Sequence, residues 1–150
     1  MDKIRLGFNK EQSTFVSDPQ MKKCLYSLMC HITVPRFIAG LLGEKFFRRL
    51  IPVKACIFHE GITNRMDIFF WIEGTATCHG DDIFNETIGH RISENKAKRN
   101  AYRVLAKISR SVLRQLDRYR EDTVATKEWF DFLLEDSDKH ISNIINGIEE

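Results

Sequence analysis

Residues 66–102 read MDIFFWIEGTATCHGDDIFNETIGHRISENKAKRNAY. The segment 66–78 is rich in aromatic and β-branched types, which suit a pleated, half-buried surface, and it predicts a strand. Gly74 inside it predicts a bulge or a close approach by another backbone. His79-Gly80-Asp81-Asp82 is a turn signal, and residues 84–90 read as a loop or a short helix. From about 91 to 119 the apolar residues Ala97, Ala101, Leu105, Ile108, Val112, Leu116 and Tyr119 recur every three or four positions. That is the stripe of one helix face. A strand, a tight turn and a long amphipathic helix in succession point to an α+β domain.

Outward from this stretch, residues 53–59 (VKACIFH) predict a preceding strand, and Glu60–Asn64 its turn. Two strands alone are marginal, so a third strand from IRLGF or STFV near the N-terminus, a helix or a second subunit must cover them. Asp18-Pro19 matches an N-cap followed by a first-turn proline. Met21, Leu25, Leu28, Met29 and Ile32 then fall at helical spacing up to Pro35. Phe37, Ile38, Leu41, Leu42, Phe46 and Leu50 predict a second helix, with Arg36, Lys45, Arg48 and Arg49 around it. After the long helix, Asp122 or Thr123 can cap a last one. Trp129, Phe130, Leu133, Leu134, Ile141, Ile144, Ile145 and Ile148 lie on its broad face, and Gly147 lies near its end. The expected order is α-α-β-β-α-α: N-terminal helices, a small antiparallel hairpin or sheet, a long basic helix and an acidic C-terminal helix. A length of 150 residues predicts a single domain, 1–150.

No run of eighteen apolar residues occurs, so a membrane span is excluded. The polar start Met1-Asp2-Lys3-Ile4-Arg5 is unlike a signal region, and a cytoplasmic setting is expected. There Cys24, Cys30, Cys56 and Cys78 are expected as free thiols. The formal charge of +2 hides a series of blocks: net +6 over 22–54, −5 over 55–90, +8 over 91–120 and −7 over 121–150. Such asymmetry calls for a charged partner or for pairing of the blocks with each other.

The basic block is ordered. Lys96, Arg99, Arg103, Lys107, Arg110, Arg114 and Arg118 step by three or four residues and lie opposite the apolar stripe. They span about 33 Å of helix. A solvated helix face ordinarily mixes signs. Like charges repeated at i,i+4 repel and need compensation. Three sources offer it: phosphate groups of a nucleotide or nucleic acid, the acidic 121–138 segment of the same chain, or that segment of another subunit. Arg91, Asn95 and Arg99 on successive turns, with the amides of the first helical turn, offer a phosphate site. Gly89 would let a turn enter the helix. Phe84 can stack on a base and Asn85 can read its edge; the plainer alternative makes Phe84 a core anchor and Asn85 a turn residue. The candidate ligand-binding set is Phe84, Asn85, Arg91, Asn95, Lys96, Arg99, Arg103 and Lys107.

The pattern Gly74-x-Ala76-x-Cys78, Asp81-Asp82-x-Phe84-Asn85, Gly89-x-Arg91-Ile92-Ser93 and Lys96-Ala97 resembles small uncharacterised phage proteins. Its strand–turn–helix layout is similar to anti-Thoeris sponges, which sequester nucleotide signals. The resemblance covers residues 74–102, with Lys96 and Ser93 where that family usually has Arg and Ala. It implies a non-enzymatic, oligomeric phage protein that evades host defence in the host-cell cytoplasm by binding a nucleotide signal. The run SENKAKRNAYRVLAKI (93–108) also resembles the last helix of a double-stranded RNA-binding domain, which implies an RNA- or DNA-binding module.

A third reading is an anti-CRISPR-like inhibitor. Its acidic residues Glu121, Asp122, Glu128, Asp131, Glu135, Asp136 and Asp138 would mimic nucleic acid and block a basic groove on a host defence protein. Cys56, His59, Cys78 and His79 lack the close pairing of zinc ligands. His79, Asp81, Asp82, His90 and Glu94 form a denser polar cluster of the kind a metal-dependent nuclease uses, though turn formation and capping also account for the two aspartates. No phosphate-binding glycine loop, nucleophile elbow or His-Glu-x-x-His helix occurs. The expectation is therefore no enzyme, no metal and no cofactor.

Overall fold

The computed structural model describes residues 3–52, 54–59 and 65–147. The expected Glu60–Asn64 turn and Ile148 lie outside the described residues. The elements are β1 (Arg5–Asp18), β2 (Lys23–Val34), α1 (Arg36–Leu42), α2 (Glu44–Arg48), β3 (Cys56–His59), β4 (Met66–Thr77) and α3 (Glu86–Ile145). The strands form one antiparallel sheet in the order β1-β2-β4-β3. The class is α+β.

The segment read as a first helix is strand β2. Its burial alternates without a break: Cys24, Tyr26, Leu28, Cys30, Ile32 and Val34 are buried and the residues between them half-buried. Leu25 and Met29 are apolar as well, because the other sheet face is only partly exposed. They supply the i,i+3 and i,i+4 matches of a helix. The Asp18-Pro19 signal makes a turn instead. Asp18 Oδ1 accepts a hydrogen bond from the Met21 amide at 3.2 Å, and Lys22 follows with φ of 51°. Both N-terminal candidates for a third strand, STFV and IRLGF apart from Ile4, lie in β1. Between Asn9 and Thr14 its register shifts, and there Ser13 Oγ donates to the Asn9 carbonyl and accepts from the Met29 amide.

One face of the sheet carries the core. Phe70, Ile68 and Met66 of β4 lie opposite Cys30, Ile32 and Val34 of β2, all buried. The first turns of α3 cover this face at very close range. Gly89, Ser93, Ala97 and Ala101 repeat every four residues and are buried. A methyl group on Gly74 would overlap the backbone of Ser93 and Ala97, and one on Gly89 would overlap Cys24 Sγ. Gly89 is therefore a packing glycine inside the helix and not the turn into it. The expected close approach at Gly74 is present. Asn100 Nδ2 adds a hydrogen bond to the Glu73 carbonyl at 2.9 Å.

Two compact units are resolved, one up to Ser109 and one from Arg110 onward. The expected break at residues 122–123 is absent; Thr123 Oγ1 donates back to the Tyr119 carbonyl within the helix and caps nothing. In the second unit, side chains beyond Leu116 are exposed apart from half-buried Asn143.

On the opposite sheet face, His31 Nε2 meets Asp67 Oδ1 at 2.8 Å, the His31 ring stacks on Phe69 at 4.3 Å, and Arg65 approaches Asp67 at 3.4 Å. Partial burial pushes the Asp67 carboxyl up, but the His31 hydrogen bond and the Arg65 charge outweigh it. The net pKa lies below the ordinary carboxylate value. A carboxyl with a lowered folded pKa stabilises the fold above its unfolded pKa of about 3.9, and that stabilisation is lost as pH falls through the folded value. Asp67→Asn is expected to cost about 1–2 kcal/mol at pH 7. Urea titrations at pH 7 and pH 3 check this, and the gap between variant and wild type should narrow at the lower pH.

Candidate functional site

The candidate residues fall in the first unit, at the turn that leads from β4 into α3. That turn is held by Lys22, whose Nζ donates to the Gly80 carbonyl at 2.9 Å and the Asp82 carbonyl at 3.1 Å. The Cys78 amide bonds the Lys22 carbonyl, so the β1–β2 turn fixes the approach to the helix. Asn85 is the residue before the helix. Its Oδ1 accepts from the Ile88 amide at 3.1 Å, which uses the side chain as an N-cap. The helix start is thus capped from within, and Glu86 occupies its first turn.

Two depressions adjoin here. A recess of about 250 Å³ is lined by Lys22, Ala76, Thr77, Cys78, Asp82, Ile83, Phe84, Asn85, Ile88, Gly89 and Ile92. Half-buried Phe84 is part of its apolar wall. A second, open groove of about 460 Å³ is lined by Ile88, Arg91, Ile92, Asn95, Lys96 and Arg99. Ile88 and Ile92 border both, so the recess and the cationic groove adjoin along these two side chains. Asn95 Nδ2 donates to the Arg91 carbonyl at 2.8 Å, and the residue is exposed.

Among the described residues, Arg91, Lys96, Arg99, Arg103 and Lys107 form no ion pair with any carboxylate. Lys98, which is off the ridge, is paired with Glu94 at 3.5 Å. Arg103 makes a 3.3 Å hydrogen bond to Asn100, and Lys107 is exposed beyond the groove. Of the expected set, Arg91, Asn95, Lys96 and Arg99 share one groove, and Phe84 and Asn85 share the adjoining recess. Arg103 and Lys107 line neither. The remaining ridge residues, Arg110, Arg114 and Arg118, belong to the second unit.

Sequence reasoning missed Lys22, Ile83, Ile88 and Ile92. The signal for the two helical isoleucines was present: an i,i+4 apolar pair on the cationic side of an otherwise well-segregated helix. Lys22 carried no local signal, since its partners lie near residue 80.

Two members of the expected polar cluster, His90 and Glu94, are committed to structure. His90 contacts the rings of Phe15 at 4.4 Å and Tyr26 at 5.5 Å, and its Nδ1 lies 3.8 Å from Glu94. Burial pushes the Cys30 thiol up to about 12, far from the thiolate that a nucleophile needs. Among the described residues no three His, Cys, Asp or Glu side chains converge as a metal site requires. No helix there is long and apolar enough to cross a membrane. No protein-family model, no curated protein and no solved structure matches the chain.

Proposed function

We propose that this chain is a non-catalytic binder of a phosphate-bearing ligand, with a nucleotide as the ligand class that fits best. Its phosphates lie along Arg91, Lys96 and Arg99, and its base enters the apolar recess at Phe84. The observation that carries this reading is the set of cations without carboxylate partners in a groove that adjoins a largely apolar recess. Arg91 and Arg99 offer planar forks suited to phosphate oxygens. A bound dianion also relieves their mutual repulsion along the helix. Stacking on Phe84 replaces base edge reading by Asn85, whose oxygen is already bonded as the helix cap. Sequestration of a nucleotide signal, as part of phage evasion of host defence in the host cytoplasm, is the role we infer from the resemblance of residues 74–102.

Thermal melting with added nucleoside diphosphates or cyclic dinucleotides tests the proposal. A ligand at a hundred times its Kd stabilises the fold by about 2.7 kcal/mol, a rise of several degrees. The rise should shrink only modestly with salt, because few phosphates are neutralised. Tight oligonucleotide binding with a steep salt dependence, and no response to mononucleotides, would instead identify a nucleic-acid module that uses Arg103 and Lys107 as well. No response to either ligand would sink the reading.

A further inference from the structure

The second unit is a helix with its apolar side uncovered. Trp129 is 58% exposed, Phe130 61% and Leu134 65%, and Ile141, Ile144 and Ile145 are exposed as well. So much contiguous apolar surface on a soluble helix marks an interface. We infer that this face, over residues 116–140, pairs with the same face of a second copy of the chain in antiparallel orientation, crossing near Glu128.

Charge selects both the occupant and its direction. Arg118 and Arg120 stand at the basic end of this segment and Asp136 and Asp138 at the acidic end. Among the described residues, Arg118, Arg120 and Asp138 have no ion-pair partner, and Asp136 has only His140 at 3.7 Å. At 100° per residue, Arg120 and Asp138 share one flank of the apolar face, and Arg118 and Asp136 share the other. In an antiparallel pair each flank meets the same flank of its partner. Arg120 then meets the second copy's aspartate 138, and Arg118 its aspartate 136. A parallel pair would set Arg118 against the second copy's arginine 120 and Asp136 against its aspartate 138, with Arg120 near its aspartate 122 as partial compensation.

Side-chain size gives the same crossing point. Antiparallel pairing about Glu128 seats Tyr119 against the serine at 137, Phe130 against the threonine at 126 and Leu133 against the threonine at 123. Each layer sets a large residue against a small one, which fills space without strain. The two threonines in this seam are already satisfied. Thr123 Oγ1 donates to the Tyr119 carbonyl at 2.7 Å and Thr126 Oγ1 to the Asp122 carbonyl at 2.8 Å. Their burial leaves no hydroxyl donor unmet. The pairing does not depend on the nucleotide reading, since it uses residues of the other unit.

Sedimentation velocity on the full chain over a range of concentrations tests the inference. Wild type should sediment at twice the chain mass. Arg118→Glu combined with Arg120→Glu should raise the dimer dissociation constant by roughly 30-fold or more. Adding Asp136→Arg and Asp138→Arg to that same chain should restore the dimer, because each flank is again complementary. Phe130→Asp should give monomers whose first unit melts as in wild type. Monomeric wild type, a dimer indifferent to the arginine reversals, or failure of the fourfold variant to recover would each overturn it.

Discussion

Gly74→Val should cost the first unit about 3 kcal/mol or more. The position lies in the middle of β4, opposite Tyr26. It faces the backbone of α3 rather than a side chain, so nothing nearby can rotate away. Any added carbon overlaps the backbone of Ser93 and Ala97. The helix must then lift, and the burial of Ala97 and Ala101 is weakened. For a unit of this size the melting temperature should fall by roughly 10–20 °C. Gly40→Ala is the control. It sits in α1 with open space around its Cβ position, and should be neutral or stabilising by up to about 1 kcal/mol. Urea denaturation of both variants checks the contrast. Equal effects would mean that the close approach of helix and sheet does not limit stability.

The second large effect is on binding. Arg91→Glu combined with Arg99→Glu should weaken nucleotide binding by about 100-fold or more, because each charge-assisted contact contributes roughly 1.5–3 kcal/mol and becomes a repulsion. Both side chains are exposed and unpaired, so folding should be unaffected. Reversal should even ease the like-charge crowding on this face. Isothermal titration with a nucleoside diphosphate reads the loss. Arg103→Glu, outside both depressions, should change mononucleotide affinity by only a few-fold. A larger effect at Arg103 than at Arg91 and Arg99 would move the site along the helix.

Much of the architecture around the site was legible in the sequence. The aromatic and β-branched run of β4, its interior glycine and the apolar stripe of α3 that begins at Ala97 and Ala101 all report the same packing of helix on sheet. The N-terminal half was not legible. In β2 both faces are apolar enough that period-two and helical patterns coexist, and Asp18-Pro19 serves a turn as readily as a cap. Cross-strand pairing with β4, a non-local fact, decided the matter. The continuity of α3 through residues 122–123 was missed for a related reason. Thr123 is a capping type, yet its hydroxyl bonds the helix carbonyl four residues back.

The site was half legible. The cations were found by their spacing, and their lack of carboxylate partners is visible only in three dimensions. The small net charge of +2 therefore does not mean that the basic residues are neutralised where they stand. Within the acidic segment, carboxylates are partly answered by their own neighbours, as in Lys127–Asp131 at 2.7 Å, where the Asp131 hydrogen bond and charge hold the lysine pKa above its usual value.

Amide chemical-shift mapping during titration with a nucleoside diphosphate tests the central claim most directly. Saturable shifts are expected at residues 84–99, extending to Lys22 and to Ala76, Thr77 and Cys78 at and just beyond the end of β4. Inorganic phosphate should move only the Arg91–Arg99 part of that set. Shifts confined to the C-terminal segment, or none at millimolar nucleotide, would contradict it.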